Sequence, residues 1–395
     1  MSASLNTIKV YDILLPESAD MPFWAVNACD QFTSDYGYWK EVEDITKGKK
    51  STFNLILPEI YLKDDAPARI AAANAAMDEY LKGGVFKKVE GGFILVERTT
   101  ESGTRTGLVL AIDLEDYSFE KGAKTPVRST EATILERIPP RVEIRKNAPV
   151  ELPHIMLLYN DPADAVLKTV RRGEKLYDFD LMMNGGHVKG TYVNNAEEVI
   201  KTFYSLVEGK ADKFLFAVGD GNHSLATAKT CWNNLKPSLT EEEKATHPAR
   251  FALVEAVNIY DKALNFEPIH RLVKISDPEK FKSFLNIRGA GTAYLAIGGK
   301  IEKVPFPEDI PAGIRLLDDY VSAYLSANGG EVDYIHGDKE LIEFTKEGGA
   351  GVIVPPIQKG DFFDLISKGG NLPRKTFSMG EGNEKRYYIE AKLIK

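Results

Sequence analysis

The sequence predicts an α+β protein of mixed sheets with packed helices and a smaller C-terminal unit. Three observations carry this. Runs rich in β-branched and aromatic residues alternate apolar with polar and are joined by Gly-containing turns, which marks hairpins. Helical stretches carry Pro in the first turn and Gly at the end, yet they do not follow a strict βαβ alternation. The 395 residues, 43% hydrophobic and 27% charged, suffice for two or three domains with cores of their own. The expected regions are 1–125, 126–275 and 276–395. They are expected to be intimate, because no structureless linker of roughly 20 residues separates them.

Taken in order, "TIKVYDILL", "WAVNAC" and "TFNLILPEIYL" read as strands, and "DAPARIAAANAAMDEYLKGG" from Asp65 reads as a helix. "GGFILVERTTESGTRTGLVLAIDLE" reads as a hairpin. "VRSTEATILERIPPRVEIR" reads as a short helix stopped by Pro139 and Pro140. "PHIMLLYND", helical "DPADAVLKTVRRG" and a second hairpin in "KLYDFDLMMNGGHVKGTYV" follow, then the helix "NAEEVIKTFYSLVEG". "ARFALVEAVNIYD" and "FEPIHRLVKI" read as core strands. The last third holds a hairpin at "TAYLAIGGKIEKV", a helix at "AGIRLLDDYVSAYLSANGG" and a closing strand at "KRYYIEAKLI".

The formal charge of −8 argues against a basic nucleic-acid surface, so nucleic acid is not an expected partner. Two cysteines, Cys29 and Cys231, make no disulfide framework. The start lacks a charged segment followed by an apolar one, and no apolar run approaches the roughly 18 residues of a membrane span. A cytoplasmic protein without a membrane partner is expected; the oligomeric state stays open. Zinc is not expected either, for want of Cys-x-x-Cys or His-Glu-x-x-His.

The chemistry is expected at "FLFAVGDGNHSLATAKTCW". Here a strand-type run breaks, and apolar residues resume at Leu225, Ala228, Trp232 and Leu235 with helical spacing. Gly219 to Asn222 therefore forms a strand–loop–helix turn. The first amides of such a helix lack internal partners and the helix dipole adds positive potential, so a phosphate is the natural guest. Gly219 and Gly221 can take positive φ and let it approach the backbone. Asp220 offers three roles: holding Mg²⁺, binding a ribose hydroxyl, or accepting a substrate proton. His223 can donate to a phosphate or shuttle protons. The spacing also fits a simpler turn in which Asn222 caps the helix and the glycines only serve the bend. "GDGNHS" is no Walker A loop, and with Ser224 in place of a third Gly it is a poor dinucleotide fingerprint.

Several segments together are distinctive: "WAVNACDQFTS", "STFNLILPEIYL", "RSTEATILERIPPR", "LPHIMLL", "YDFDLM", "GGHVKG", "FAVGDGNHSLATAK", "FEPIHR" and "LPRKTFSMGEG". On these the chain resembles the bacterial family known as domain of unknown function 1015. That family is placed with the ParB/sulfiredoxin-like fold, which includes a free-serine kinase, sulfiredoxin and nucleotide-binding ParB proteins. The resemblance implies a ParB/sulfiredoxin-like core over 126–275. Many members of that family write the break as Asp-Gly-His-His-Arg, with the Arg at the helix start placed to grip phosphate. Asp220, Gly221 and His223 fit; Asn222 and Ser224 depart, and the Arg is missing.

A cation from elsewhere is therefore expected. "RSTEATILERIPPR" offers Arg128, Arg137 and Arg141, with Arg145 just beyond, and Glu131 as a magnesium ligand or base. On a helix, Arg128 and Arg137 would project to similar sides. The same residues also suit a solvated helix with Glu–Arg pairs. Lys375, beside Arg374 in "LPRKTFSMGEG", is a second source, or a basic surface turn. Asp30, His187 and His270 fit turn-forming or structural roles as readily as a pocket, and Cys231 and Trp232 suit a core. The expected site is catalytic Asp220, His223 and Glu131, with Asp220 and Glu131 on Mg²⁺. Gly219, Gly221, Asn222, Ser224, Arg128, Arg137, Arg141 and Lys375 would hold ATP or ADP. Three functions fit: a phosphotransferase acting on a small hydroxyl-bearing metabolite, a non-catalytic nucleotide-binding regulator, and a hydrolase of a small phosphorylated or carboxylate substrate.

Overall fold

The computed structural model describes residues 5–395 apart from Lys63, Leu135 and Arg137, and omits the side chain of Asp30. Among the described residues it is a mixed α+β fold with twelve α-helices and three sheets. None of these helices is long and apolar enough to cross a membrane. The chain divides into one unit of Met1–Leu264 with Glu381–Lys395, and a second of Asn265–Gly380.

Eleven strands build the main sheet of the first unit. They are β1 (Ile8–Lys9), β2 (Tyr11–Pro16), β3 (Phe86–Thr100), β4 (Gly103–Asp113), β5 (Tyr117–Ser118) and β6 (Val127–Arg128). After a separate β7 (Val150–Glu151) come β8 (Met156–Tyr159), β9 (Arg172–Asp180), β10 (His187–Val193), β11 (Phe216–Asp220) and β12 (Phe251–Asn258). Their order is β5–β6–β11–β8–β12–β4–β3–β10–β9, with β1 on β4 and β2 on β3. Both faces are covered. Phe93, Leu95, Leu108 and Leu110 join one core with the helices Ala196–Ser205 and Asn222–Leu235. Their strand neighbours Ile94, Val96 and Val109 join another with Trp24, Met77 and Tyr387. Alternate residues of a strand point to opposite faces, so burial on both sides demands the near-continuous apolar runs seen here.

The second unit has its own core and a six-stranded sheet. Its strands are β13 (Phe266–Lys274), β14 (Gly291–Ile297), β15 (Lys300–Phe306), β16 (Glu331–His336), β17 (Ala350–Ile353) and β18 (Phe377–Met379). Ile314, Leu317, Val321 and Tyr324 form the buried stripe of its long helix Ile310–Asn328.

The hairpins β3–β4, β9–β10 and β14–β15 lie where alternation places them. Other segments differ from expectation. "TFNLILPEIYL" forms 3₁₀ turns at Thr52–Leu55 and Glu59–Tyr61, with Ser51 capping the first. Trp24 closes the short helix Met21–Trp24, leaving Val26 a single bridge to Tyr388. Pro139 and Pro140 open the helix Ile138–Arg145 instead of stopping one, because a proline in the first turn forfeits no intrahelical hydrogen bond. Arg128 sits in strand β6 and not on a helix.

Regions 1–125 and 126–275 share the main sheet, since β4 pairs with β12 and β3 with β10. Residues 381–395, read as part of the C-terminal region, belong to the first unit, where β19 (Lys392–Leu393) pairs with β7. Buried charges hold them. Arg386 Nε lies 2.8 Å from Glu255 and Nη2 lies 2.7 Å from Glu390, all three nearly inaccessible. Tyr177 donates to Glu390, and Lys392 faces Glu151 at 3.7 Å. A Cβ at Gly107 would come within 2.5 Å of Glu255 Oε1, so glycine there makes room for the buried carboxylate. Removing one partner of such a pair strands the others without water. Arg386→Ala is therefore expected to destabilise the protein by about 3–5 kcal/mol, read as a lowered urea midpoint.

Candidate functional site

Strand β11 lies between β6, in parallel, and β8, antiparallel, so its end is flanked by the chain leaving β6 and the chain entering β8. Asp220 ends the strand. Gly221 follows at φ 83°, ψ 27°, and Leu225 N donates to its carbonyl at 3.0 Å to close the first turn of the helix Asn222–Leu235. The positive φ of Gly221 favours glycine, and a Cβ there would make a tight 3.1 Å contact with Ile155. Gly219 lies within β11 and is not among the residues of positive φ. No side chain caps the helix. Leu225, Ala228 and Trp232 bury its inner face, and Cys231 is half-buried.

Asn222 takes the first helical position and reaches sideways. Its Oδ1 accepts from Thr130 N at 3.2 Å and lies 2.6 Å from Ser129 Oγ, while its Nδ2 donates to Thr130 Oγ1 at 3.3 Å. Thr130 Oγ1 donates to Val218 O at 2.6 Å, and Ile134 N donates to His223 Nε2 at 3.3 Å. The "RSTEATILERIPPR" segment therefore meets the loop through Ser129, Thr130 and Ile134. Its two described arginines, Arg128 and Arg141, are engaged elsewhere. Arg128 is buried, forks onto Asp212, donates to Thr125 O at 2.8 Å and lies over the Phe214 ring. Arg141 pairs with Glu59 at 3.0 Å, and Arg145 pairs with Glu151. Arg137 lies outside the described residues. Glu131 is half-buried, and its carbonyl lies 2.7 Å from Ser129 Oγ. Lys375 belongs to the second unit, exposed and at φ 54°, with its carbonyl held by Arg271 at 2.8 Å.

Four other residues stand near the loop. Lys385 Nζ lies 3.4 Å from Asp220 Oδ2, and Asp220 Oδ1 accepts from Gly221 N at 2.8 Å. Burial pushes this carboxyl up, but the charges of Lys385 and His154 and the Gly221 amide prevail, leaving it below the ordinary carboxylate value. Its side chain is 34% exposed, so the charge is accessible. Ser224 Oγ lies 3.2 Å from His154 Nε2, and His154 Nδ1 lies 2.9 Å from the Tyr388 hydroxyl. Cys29 stands within electrostatic reach of Lys385 and Asp220, with its thiol pushed up to about 11 by burial. Among the described residues no three His, Cys, Asp or Glu ligand atoms converge around Asp220.

The sequence pointed to the loop and missed Lys385, His154 and Tyr388. His154 had a signal in "LPHIMLL"; Lys385 and Tyr388 fall beyond every segment that carried the resemblance. Elsewhere, His187 bridges Asp180 and Asp178 at 2.7 Å each on the β9–β10 hairpin, which raises its pKa. His270 is buried in the second unit between Asp338 and the Val354 amide.

Residues 12–326 match the family model described as "Protein of unknown function (DUF1015)". The chain belongs to this family. No curated protein sequence matches this DUF1015 chain. Among solved structures, it is similar to a free serine kinase in complex with ADP, at 10% identity and TM-score 0.40 over 71% of this chain and 91% of that one. It is similar to a conserved hypothetical protein from Pyrococcus furiosus, at 11% identity and TM-score 0.37 over 71% and 94%. SbnI with C-terminal truncation from Staphylococcus aureus gives 9% identity and TM-score 0.38 over 69% and 82%.

Two measurements follow from the geometry. Gly221→Ala is expected to cost about 1–3 kcal/mol, read from chemical denaturation. Asp220, whose native pKa lies below its unfolded value of about 3.9, contributes stability at neutral pH that is lost as pH falls through the native pKa. Lys385→Met is expected to raise the Asp220 pKa in a carboxyl ¹³C titration and to shrink that acid-sensitive contribution.

Proposed function

We propose that this DUF1015 protein is a cytoplasmic nucleotide-binding phosphotransferase with a ParB/sulfiredoxin-like core. It holds ATP or ADP at the Asp220–Ser224 loop and passes a phosphoryl group to a small hydroxyl-bearing metabolite. One observation carries the reading: an ionised Asp220 and the cation of Lys385 stand together at an uncapped helix start whose glycine brings the backbone within reach of a ligand. The amides of Asn222, His223 and Ser224 point to a phosphate, and Lys385 supplies the positive charge that the missing Arg would carry.

Asp220 decides which phosphate suits the site. An accessible, ionised carboxylate repels a bare anion and favours one that arrives with a divalent cation. Mg²⁺ commonly binds through one or two carboxylates plus substrate phosphates, which fits a lone Asp220; Glu131 on the neighbouring segment is the second ligand we propose. There the ion would neutralise charge on the transferring group. Asp220 is also the residue proposed to accept the acceptor's proton, and Asn222 holds the loop to Ser129 and Thr130.

A thermal-shift series with ATP, ADP and AMP, with and without Mg²⁺, tests this. A nucleotide at about 100 times its dissociation constant is expected to stabilise the protein by roughly 2.7 kcal/mol. Absence of any shift with nucleoside di- and triphosphates at millimolar concentration overturns the reading. Asp220→Asn is expected to abolish the magnesium-dependent part of the shift and the transfer, with the circular dichroism spectrum unchanged.

A further inference from the structure

Ser224 stands where a nucleophile, a base and an orienting group line up. Its Oγ is in hydrogen-bond reach of His154 Nε2 at 3.2 Å, and His154 Nδ1 reaches the Tyr388 hydroxyl at 2.9 Å. The imidazole is thereby held at both nitrogens. The Tyr388 ring meets it edge-on at 5.3 Å and 76°, and the Tyr388 amide is anchored to Val26 O at 2.9 Å. Tyr388 is 8% exposed and Ser224 is partly open to solvent, so the relay runs from the interior to an accessible hydroxyl. With its proton on Nδ1, donated to the Tyr388 oxygen, His154 presents a lone pair on Nε2 to the Ser224 hydroxyl. Asp220 lies within electrostatic reach of His154 and favours the imidazolium that forms when this proton is taken. Nucleophile, base and orienter in hydrogen-bond sequence are the signature of covalent catalysis.

We propose that Ser224 is a catalytic nucleophile that takes up the phosphoryl group before the acceptor does, with His154 as its base and Tyr388 as the positioning residue. The inference rests on the phosphotransferase reading of the same loop. In the first half-reaction Ser224 Oγ attacks the terminal phosphorus of the nucleotide. The Oγ–P bond forms as the bond from that phosphorus to the bridging oxygen breaks. The shortened nucleotide leaves with that electron pair, and the serine proton passes to His154 Nε2. In the second half-reaction the acceptor hydroxyl attacks the phosphoserine. The P–Oγ bond breaks, Ser224 recovers the proton from His154, and the acceptor's proton passes to Asp220 and then to solvent. No oxidant or reductant is needed.

The test incubates the full-length protein with ATP and Mg²⁺, and in parallel with ADP and Mg²⁺, without any acceptor. Nucleotide binding is followed by calorimetry, and intact mass and peptide mapping follow the protein. The expected result is one phosphoryl group on Ser224, stable to acid and to hydroxylamine, and absent in Ser224→Ala. His154→Gln is expected to slow its appearance at least about 100-fold. Tyr388→Phe is expected to shift the pH profile of phosphoenzyme formation, which a tyrosine that merely packs would not do. Peptide mapping of the unaltered protein keeps the test independent of how the variants fold. Binding without a phosphoenzyme overturns this inference and leaves the nucleotide reading standing. A label that is acid-labile or hydroxylamine-labile lies on a histidine or on Asp220 and also overturns it. Absence of nucleotide binding overturns both.

Discussion

The site depends on a buried ionic seam that draws the last fifteen residues into the first unit. Arg386 lies between Glu255 of β12 and Glu390 of its own segment, and Lys392 faces Glu151. These groups are almost wholly removed from water, so each carries a desolvation cost that only its partner's proximity offsets. The seam therefore works as a positional lock. A register slip of the C-terminal segment would part Arg386 from Glu255 and Lys392 from Glu151, leaving Lys392 buried without its carboxylate. Because Arg386 is so held, its neighbour Lys385 is placed 3.4 Å from Asp220, and Tyr388 is placed against His154.

The loop then acquires its electrostatic character from two directions. The helix start and Lys385 are positive, and Asp220 is negative and kept so by Lys385, His154 and the Gly221 amide. A cation delivered by a distant segment differs from an arginine on the helix itself. It leaves the first-turn position to Ser224, a small hydroxyl that finds an imidazole instead of a phosphate fork. The substitution that looks like a loss in the loop thus coincides with a relay that an arginine side chain would displace. The strap from Ser129 to Ile134 fixes the other side of the turn through Asn222 and His223.

Much of the fold was legible because its signals are local. Period-two alternation marked the three hairpins, and helical spacing from Leu225 to Leu235 marked the helix after the break. The failures are also physical. "TFNLILPEIYL" has a strand's composition, but Ser51 and Pro58 stand at the starts of two 3₁₀ turns that replace the strand. Pro139 and Pro140 are as compatible with a helix start as with an end, and only the neighbouring chain decides. The arginines of "RSTEATILERIPPR" looked like phosphate forks, and Asp212 and Glu59, which engage two of them, are remote in sequence.

By itself, the sequence determined the strand–glycine–helix break and the absence of an arginine at 224. Each is a property of a few consecutive residues and their backbone preferences. Only the tertiary structure decided which side chains complete the site. His154 is 70 residues from Ser224 and 234 from Tyr388, separations over which no periodicity carries information. What brings them together is the pairing of β8 with β11 and the burial of charges that must find one another once they leave water.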